Sequence, residues 1–103
     1  MTTDNTITED ELDVMHLLHK DPKTSQRNIA KKSGFSIGKV NYCLKALTDI
    51  GFVKVINFKN SKHKLHYAYI LTPKGIKQKT TITKQFLAKK QQEFDKLNSY
   101  INK

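Results

Sequence analysis

Four side chains within one short stretch share a chemistry. In SIGKVNYCLKAL, residues 36–47, the groups Lys39, Asn41, Tyr42 and Lys45 are all hydrogen-bond donors, and no acid joins them until Asp49. Ile37, Val40, Leu44 and Leu47 recur at helical spacing and make one apolar stripe. Lys39, Tyr42 and Lys45 turn away from it, with the small residues Gly38 and Ala46 alongside. A solvated helix face ordinarily mixes both charge signs. A face of one sign, kept low by small residues, suits close approach to a polyanion. Its ammonium groups can reach phosphates or guanine edges. Its tyrosine can bond a phosphate or pack on a thymine methyl, and Asn41 on the flank can pair with adenine. Ser36 opens the stretch with a hydroxyl, both as a helix cap and as a further group on this side.

Two more basic sets extend the same chemistry. Arg27, Lys31 and Lys32 fall on the preceding segment and read as phosphate contacts. FKNSKHK carries Lys59, Lys62 and Lys64, spaced to straddle a phosphate backbone or dip into a minor groove. The plainer role for that loop is to solubilise a hairpin and discourage edge pairing. Other chemistries find no footing. There is no glycine-rich phosphate loop and no nucleophile with a base, so no enzyme is expected. His16 and His19 share a helix face, but no cysteine or carboxylate cluster completes a metal site. Cys43 borders the apolar stripe and reads as a half-buried structural thiol. No cofactor and no metal are expected.

These residues need a frame. The 103-residue chain suits one domain with a modest core, and 37% hydrophobic with 27% charged residues is ordinary for a soluble one. The formal charge of +10 favours nucleic acid first and an anionic membrane surface second. The charge is unevenly placed. Residues 1–21 hold six acids against Lys20, whereas from Pro22 to Leu71 only Asp49 opposes ten lysines and arginines. A single cysteine forbids an internal disulfide, and no apolar run approaches the roughly 20 residues that span a bilayer. The acidic N-terminus has no apolar core of a signal peptide, so a cytoplasmic location is expected.

The local signals predict a mainly α fold with a small β-hairpin: a winged helix-turn-helix followed by a long C-terminal helix. Residues 1–7 read as a disordered tail. Thr8 with Glu11 forms a capping box for a first helix that stops near Lys20, ahead of Pro22. Thr24 or Ser25 caps a second helix, with Ile29 and Ala30 inward and Gly34 closing it. Ser36 caps the third, which ends at Gly51. FVKVINF and LHYAYIL then read as hairpin strands. Either Val53 and Val55 with Ala68 and Ile70, or Phe52 and Ile56 with Tyr67 and Leu71, could form the buried face. Residues 8–72 make the DNA-binding domain on this reading, and the third helix enters the major groove.

Thr72-Pro73 opens the last helix, residues 73–103, with Gly75 weakening its first turn. Its length, about 45 Å for some 30 residues, exceeds what so small a domain can cover. Thr80, Thr83, Leu87, Lys90, Phe94, Leu97 and Ile101 fall near a 3.5-residue repeat, with Ile76 leading in and Phe86 alongside. This predicts a homodimer through Ile76, Thr83, Leu87, Phe94, Leu97 and Ile101. The alternative is a winged-helix scaffold that pairs with another protein, or lies on a membrane, through this basic helix.

TSQRNIAKKSGFSIGKVNYCLKALTDIGFVKV followed by YILTPKGI resembles a MarR-type winged-helix repressor. More narrowly, NFKNSKHKL, YAYILTPKGI and the spaced FL, K, E and L after them resemble the short MarR-family EPS-associated transcriptional regulators, found with exopolysaccharide gene clusters. The resemblance runs from about Glu9 to Leu97. It implies a repressor that binds double-stranded DNA as a homodimer. Full-length MarR proteins carry further helices that build a dimer core and a ligand pocket. This chain has one long helix in their place, so a small-molecule effector is not expected.

Overall fold

The computed structural model of the chain describes residues 7–22, 24–59 and 65–102. Its elements run α1 (Glu9–Lys20), α2 (Gln26–Ser33), α3 (Ile37–Asp49), β1 (Val53–Lys59), β2 (Leu65–Leu71) and α4 (Pro73–Ile101). This is the winged helix-turn-helix order with one long helix after it. Local chemistry sets most of the boundaries. Glu11 N donates to Thr8 Oγ1 at 3.1 Å and Thr8 N donates to Glu11 Oε1 at 2.9 Å, the reciprocal capping box. Ser25 caps α2 through Asn28 N at 3.1 Å. Thr24 is buried instead, and its hydroxyl accepts from Asn28 Nδ2 at 2.8 Å. Ser36 caps α3 through Lys39 N at 3.0 Å. Gly34 and Gly51 take φ of 81° and 84°, the left-handed conformation that ends α2 and turns the chain out of α3.

The three helices bury their facing stripes together. Val14, Met15 and Leu18 of α1, Ile29 of α2, and Val40, Leu44 and Leu47 of α3 meet Phe52 and Val53 in one core. Full burial of such a side chain contributes roughly 1.5–3 kcal/mol. Ile7 also packs there, although the sequence reading placed it in the tail. Ile37 departs from the expected stripe: it is 49% exposed, while Val40, Leu44 and Leu47 are wholly buried. Cys43 takes the vacant place in the inner face. Ile37 stands at the first position of α3 and takes no part in the core cluster.

The hairpin corrects a second expectation. β1 and β2 pair antiparallel, with Val53 opposite Leu71, Val55 opposite Tyr69 and Ile56 opposite Ala68. Val53, Val55, Tyr69 and Leu71 therefore share one side, and Lys54, Ile56, Ala68 and Ile70 the other. Both faces proposed from the sequence mix residues from opposite sides. A slip of one residue moves every side chain of a strand across the sheet, and with apolar residues on both sides of each strand the composition alone does not choose the register.

α4 is anchored at its start. Thr72 N donates to Phe52 O at 3.0 Å, Thr72 Oγ1 donates to Gly51 O at 2.6 Å, and Gly75 N donates back to Thr72 Oγ1 at 3.0 Å. Gly75 is required rather than merely tolerated, because a Cβ there would overlap the Phe52 carbonyl. Ile82 is buried and Phe86 packs against the core. From Leu87 onward every described residue is exposed. α4 extends about 43 Å by helical rise, and the molecule measures 66 Å along its longest axis. No helix among the described residues is long and apolar enough to cross a membrane.

Candidate nucleic-acid interface

The buried side of α3, formed by Val40, Cys43, Leu44 and Leu47, fixes what the helix presents outward. Gly38, Tyr42, Lys45 and Asp49, spaced four, three and four residues apart, lie opposite it. Tyr42 is 70% exposed and Lys45 is exposed beside it. A Cβ on Gly38 would meet nothing closer than Ser36 Oγ at 4.0 Å, so the first turn of α3 is sterically open. Arg27, Lys31 and Lys32 are exposed on α2. Lys32 Nζ stands 3.6 Å from Asp21 Oδ2, a solvent-exposed pair that leaves its charge easily exchanged.

Lys39 sits on the flank of α3 nearer α1, not on the outward face. Its ammonium is 2.6 Å from Asp10 Oδ2 and lies over the Phe35 ring at 4.4 Å from the centroid. The hydrogen bond that Lys39 donates to the Asp10 carboxylate holds the lysine pKa above its ordinary value. Lys39, read from the sequence as a base or phosphate contact, is thus engaged within the protein. The acids of the N-terminal segment, set apart in the sequence by their charge, supply its partner.

Asn41 occupies the other flank and faces α2 and the wing. Gln26 Nε2 donates to Asn41 Oδ1 at 3.4 Å and to Tyr69 Oη at 3.1 Å. One amide therefore ties the first turn of α2 to α3 and to the wing strand β2. Sequence reasoning missed Gln26 and Tyr69, and no sequence signal links residues 43 positions apart. Asn41, Tyr42, Lys45, Ala46, Thr48 and Asp49 line an open cleft of about 750 Å³ with Val55 and Tyr69 of the wing. The wing runs along the outward face of α3, and its strands end in the basic loop. Lys62 and Lys64 lie outside the described residues. Lys59 ends β1, and of it the main chain alone is described.

Burial pushes the Cys43 thiol up, with Glu11 and Asp10 adding to the effect, which favours the protonated form of a buried sulfur. The expected assembly residues Ile76, Leu87, Phe94, Leu97 and Ile101 are all exposed on α4, Phe94 by 63% and Ile101 by 79%. Thr83 differs. It is partly buried, with its hydroxyl donating to Lys79 O at 2.6 Å, in a groove shared with Leu12 and Asp13 of α1. Lys90, also on the repeat, pairs with Glu9 at 3.0 Å.

Residues 11–54 match the family model described as winged helix-turn-helix DNA-binding. No curated protein matches the chain. Solved structures share the fold. The FabT protein of Streptococcus pneumoniae, in complex with DNA, is 17% identical with a TM-score of 0.65, over 91% of this chain and 64% of its own. The PcaV transcriptional regulator of Streptomyces coelicolor, in complex with its natural ligand, is 16% identical with a TM-score of 0.62, over 95% and 76%. A MarR family transcription regulator is 18% identical with a TM-score of 0.65, over 91% and 64%. The chain thus spans roughly two thirds to three quarters of these proteins' lengths.

Proposed function

We propose that this winged-helix chain is a transcriptional regulator, a repressor acting in the cytoplasm, that binds a pseudo-palindromic operator in double-stranded DNA as a homodimer. The observation that carries the reading is the outward face of α3. Gly38, Tyr42 and Lys45 stand exposed and open, flanked by Asn41, with the wing alongside and Arg27 on the helix before it. Tyrosine and lysine on that face meet base edges and phosphates, while Arg27 and the wing lysines Lys59, Lys62 and Lys64 grip the backbone. The FabT structure with DNA and the fold shared with a MarR family regulator support the same reading. The α4 stripe would join two copies and place two α3 helices about 34 Å apart, giving half-sites about 10 base pairs apart. The resemblance to EPS-associated regulators points to exopolysaccharide genes as targets. No small-molecule effector is part of the proposal.

Salt titration of duplex binding tests it. A dimer that neutralises about 6–10 phosphates should lose roughly 10³–10⁵ in affinity between 50 and 200 mM salt. Binding that ignores salt, or the absence of binding to any region upstream of its own operon, would count against a regulator. Binding to anionic vesicles carried by α4 alone would favour the scaffold alternative.

A further inference from the structure

The first turn of α3 combines three features. Ser36 caps it and is exposed, Gly38 leaves bare backbone with open space above it, and Ile37 between them is the bulky group of the turn at 49% exposure. The one cation of this turn, Lys39, is drawn sideways to Asp10 and Phe35. What the tip of α3 offers is therefore a branched aliphatic side chain without a competing charge. Single exposed apolar residues on a protein surface need no explanation. This one stands at the N-terminal end of the helix that would enter the major groove, the end that contacts base edges in helix-turn-helix proteins. The apolar feature of those edges is the C5-methyl of thymine.

We infer that Ile37 is a specificity-determining residue that reads a thymine methyl in each half-site. The inference rests on the proposed regulator function and adds to it a residue whose sequence pattern assigned it to the core. Tyr42 lies more than a turn further along the same helix, so the two groups address different base pairs. Lys39, held against α1, does not compete for the position Ile37 reaches. The contact buries one methyl against the isoleucine side chain. At about 0.8 kcal/mol per buried methylene-sized group this corresponds to roughly a fourfold preference for thymine over uracil at each contacted position.

A duplex selected by the wild-type protein from a random library supplies the probe. Each thymine is replaced in turn by deoxyuridine, which removes the methyl and nothing else. Wild type should lose roughly threefold to fivefold in affinity at one symmetric pair of positions near the tip of α3. Ile37→Ala should bind the selected duplex more weakly and show no penalty for deoxyuridine there. Ile37→Val should keep part of the discrimination. Ile37 is exposed, so both variants should melt close to wild type, which separates a lost contact from a lost fold. Equal deoxyuridine penalties in wild type and Ile37→Ala, or none at any position in wild type, would overturn the assignment while leaving the regulator intact. A wild-type protein that selects no sequence at low salt would overturn the regulator reading, and this inference with it.

Discussion

Replacing Asp10 by Asn should strengthen DNA binding and make it more sensitive to salt. Asp10 Oδ2 lies 2.6 Å from Lys39 Nζ, with both side chains about half exposed at 45%. While that pair holds, Lys39 displaces no counterion when DNA arrives. Asparagine keeps a hydrogen-bond acceptor but no charge, so the ammonium becomes available to a phosphate. Each phosphate neutralised on B-DNA steepens the slope of log affinity against log salt by about 0.9. One freed lysine per protomer adds about 1.8 in a dimer. Over a fourfold rise, from 50 to 200 mM, that is a further loss of roughly 12-fold relative to wild type. The variant should accordingly bind tighter at 50 mM and converge on wild type as salt rises. Fluorescence anisotropy at five salt concentrations measures the slope. Asp13→Asn is the control, because Asp13 is exposed on the same helix and removes the same charge without touching Lys39. In a Lys39→Ala background Asp10→Asn should leave the slope unchanged. A slope that rises equally with Asp13→Asn, or still rises without Lys39, would refute the reasoning, since the effect would then be general charge.

Tyr42→Ala should relax sequence preference more than it weakens non-specific binding, because the ring projects from the outward face of α3; comparing selected and random duplexes checks this. Gly75→Ala should cost roughly 1–3 kcal/mol in thermal or urea unfolding, because the added Cβ meets the Phe52 carbonyl between α4 and the core. Leu87→Asp with Phe94→Asp should give folded monomers, since both residues are exposed and contribute nothing to the core; sedimentation of variant and wild type reads the outcome, and a monomeric wild type at ~50 μM would remove the dimer from the proposal.

Features that depend on neighbours along the chain can be read from residue type. The capping residues Thr8, Ser25, Ser36 and Thr72 and the left-handed glycines Gly34 and Gly51 act within a few residues, so helix boundaries followed from residue type. The element order, the basic middle of the chain and the overhanging last helix were legible for the same reason. Tyr42 and Lys45 were placed outward by helical period alone. Periodicity puts Ile37 on the apolar stripe, but it says which residues share a stripe and not where along a helix its neighbours stop covering it. Nothing local relates Lys39 to Asp10, 29 positions earlier, because their approach depends on how α1 crosses α3. Gln26, Tyr69 and Asn41 come together only when the wing folds back beside α3. The strand register and the need for glycine at position 75 are likewise contacts between elements. Distances between elements are fixed by the packing of the whole core and not by any local run of residues.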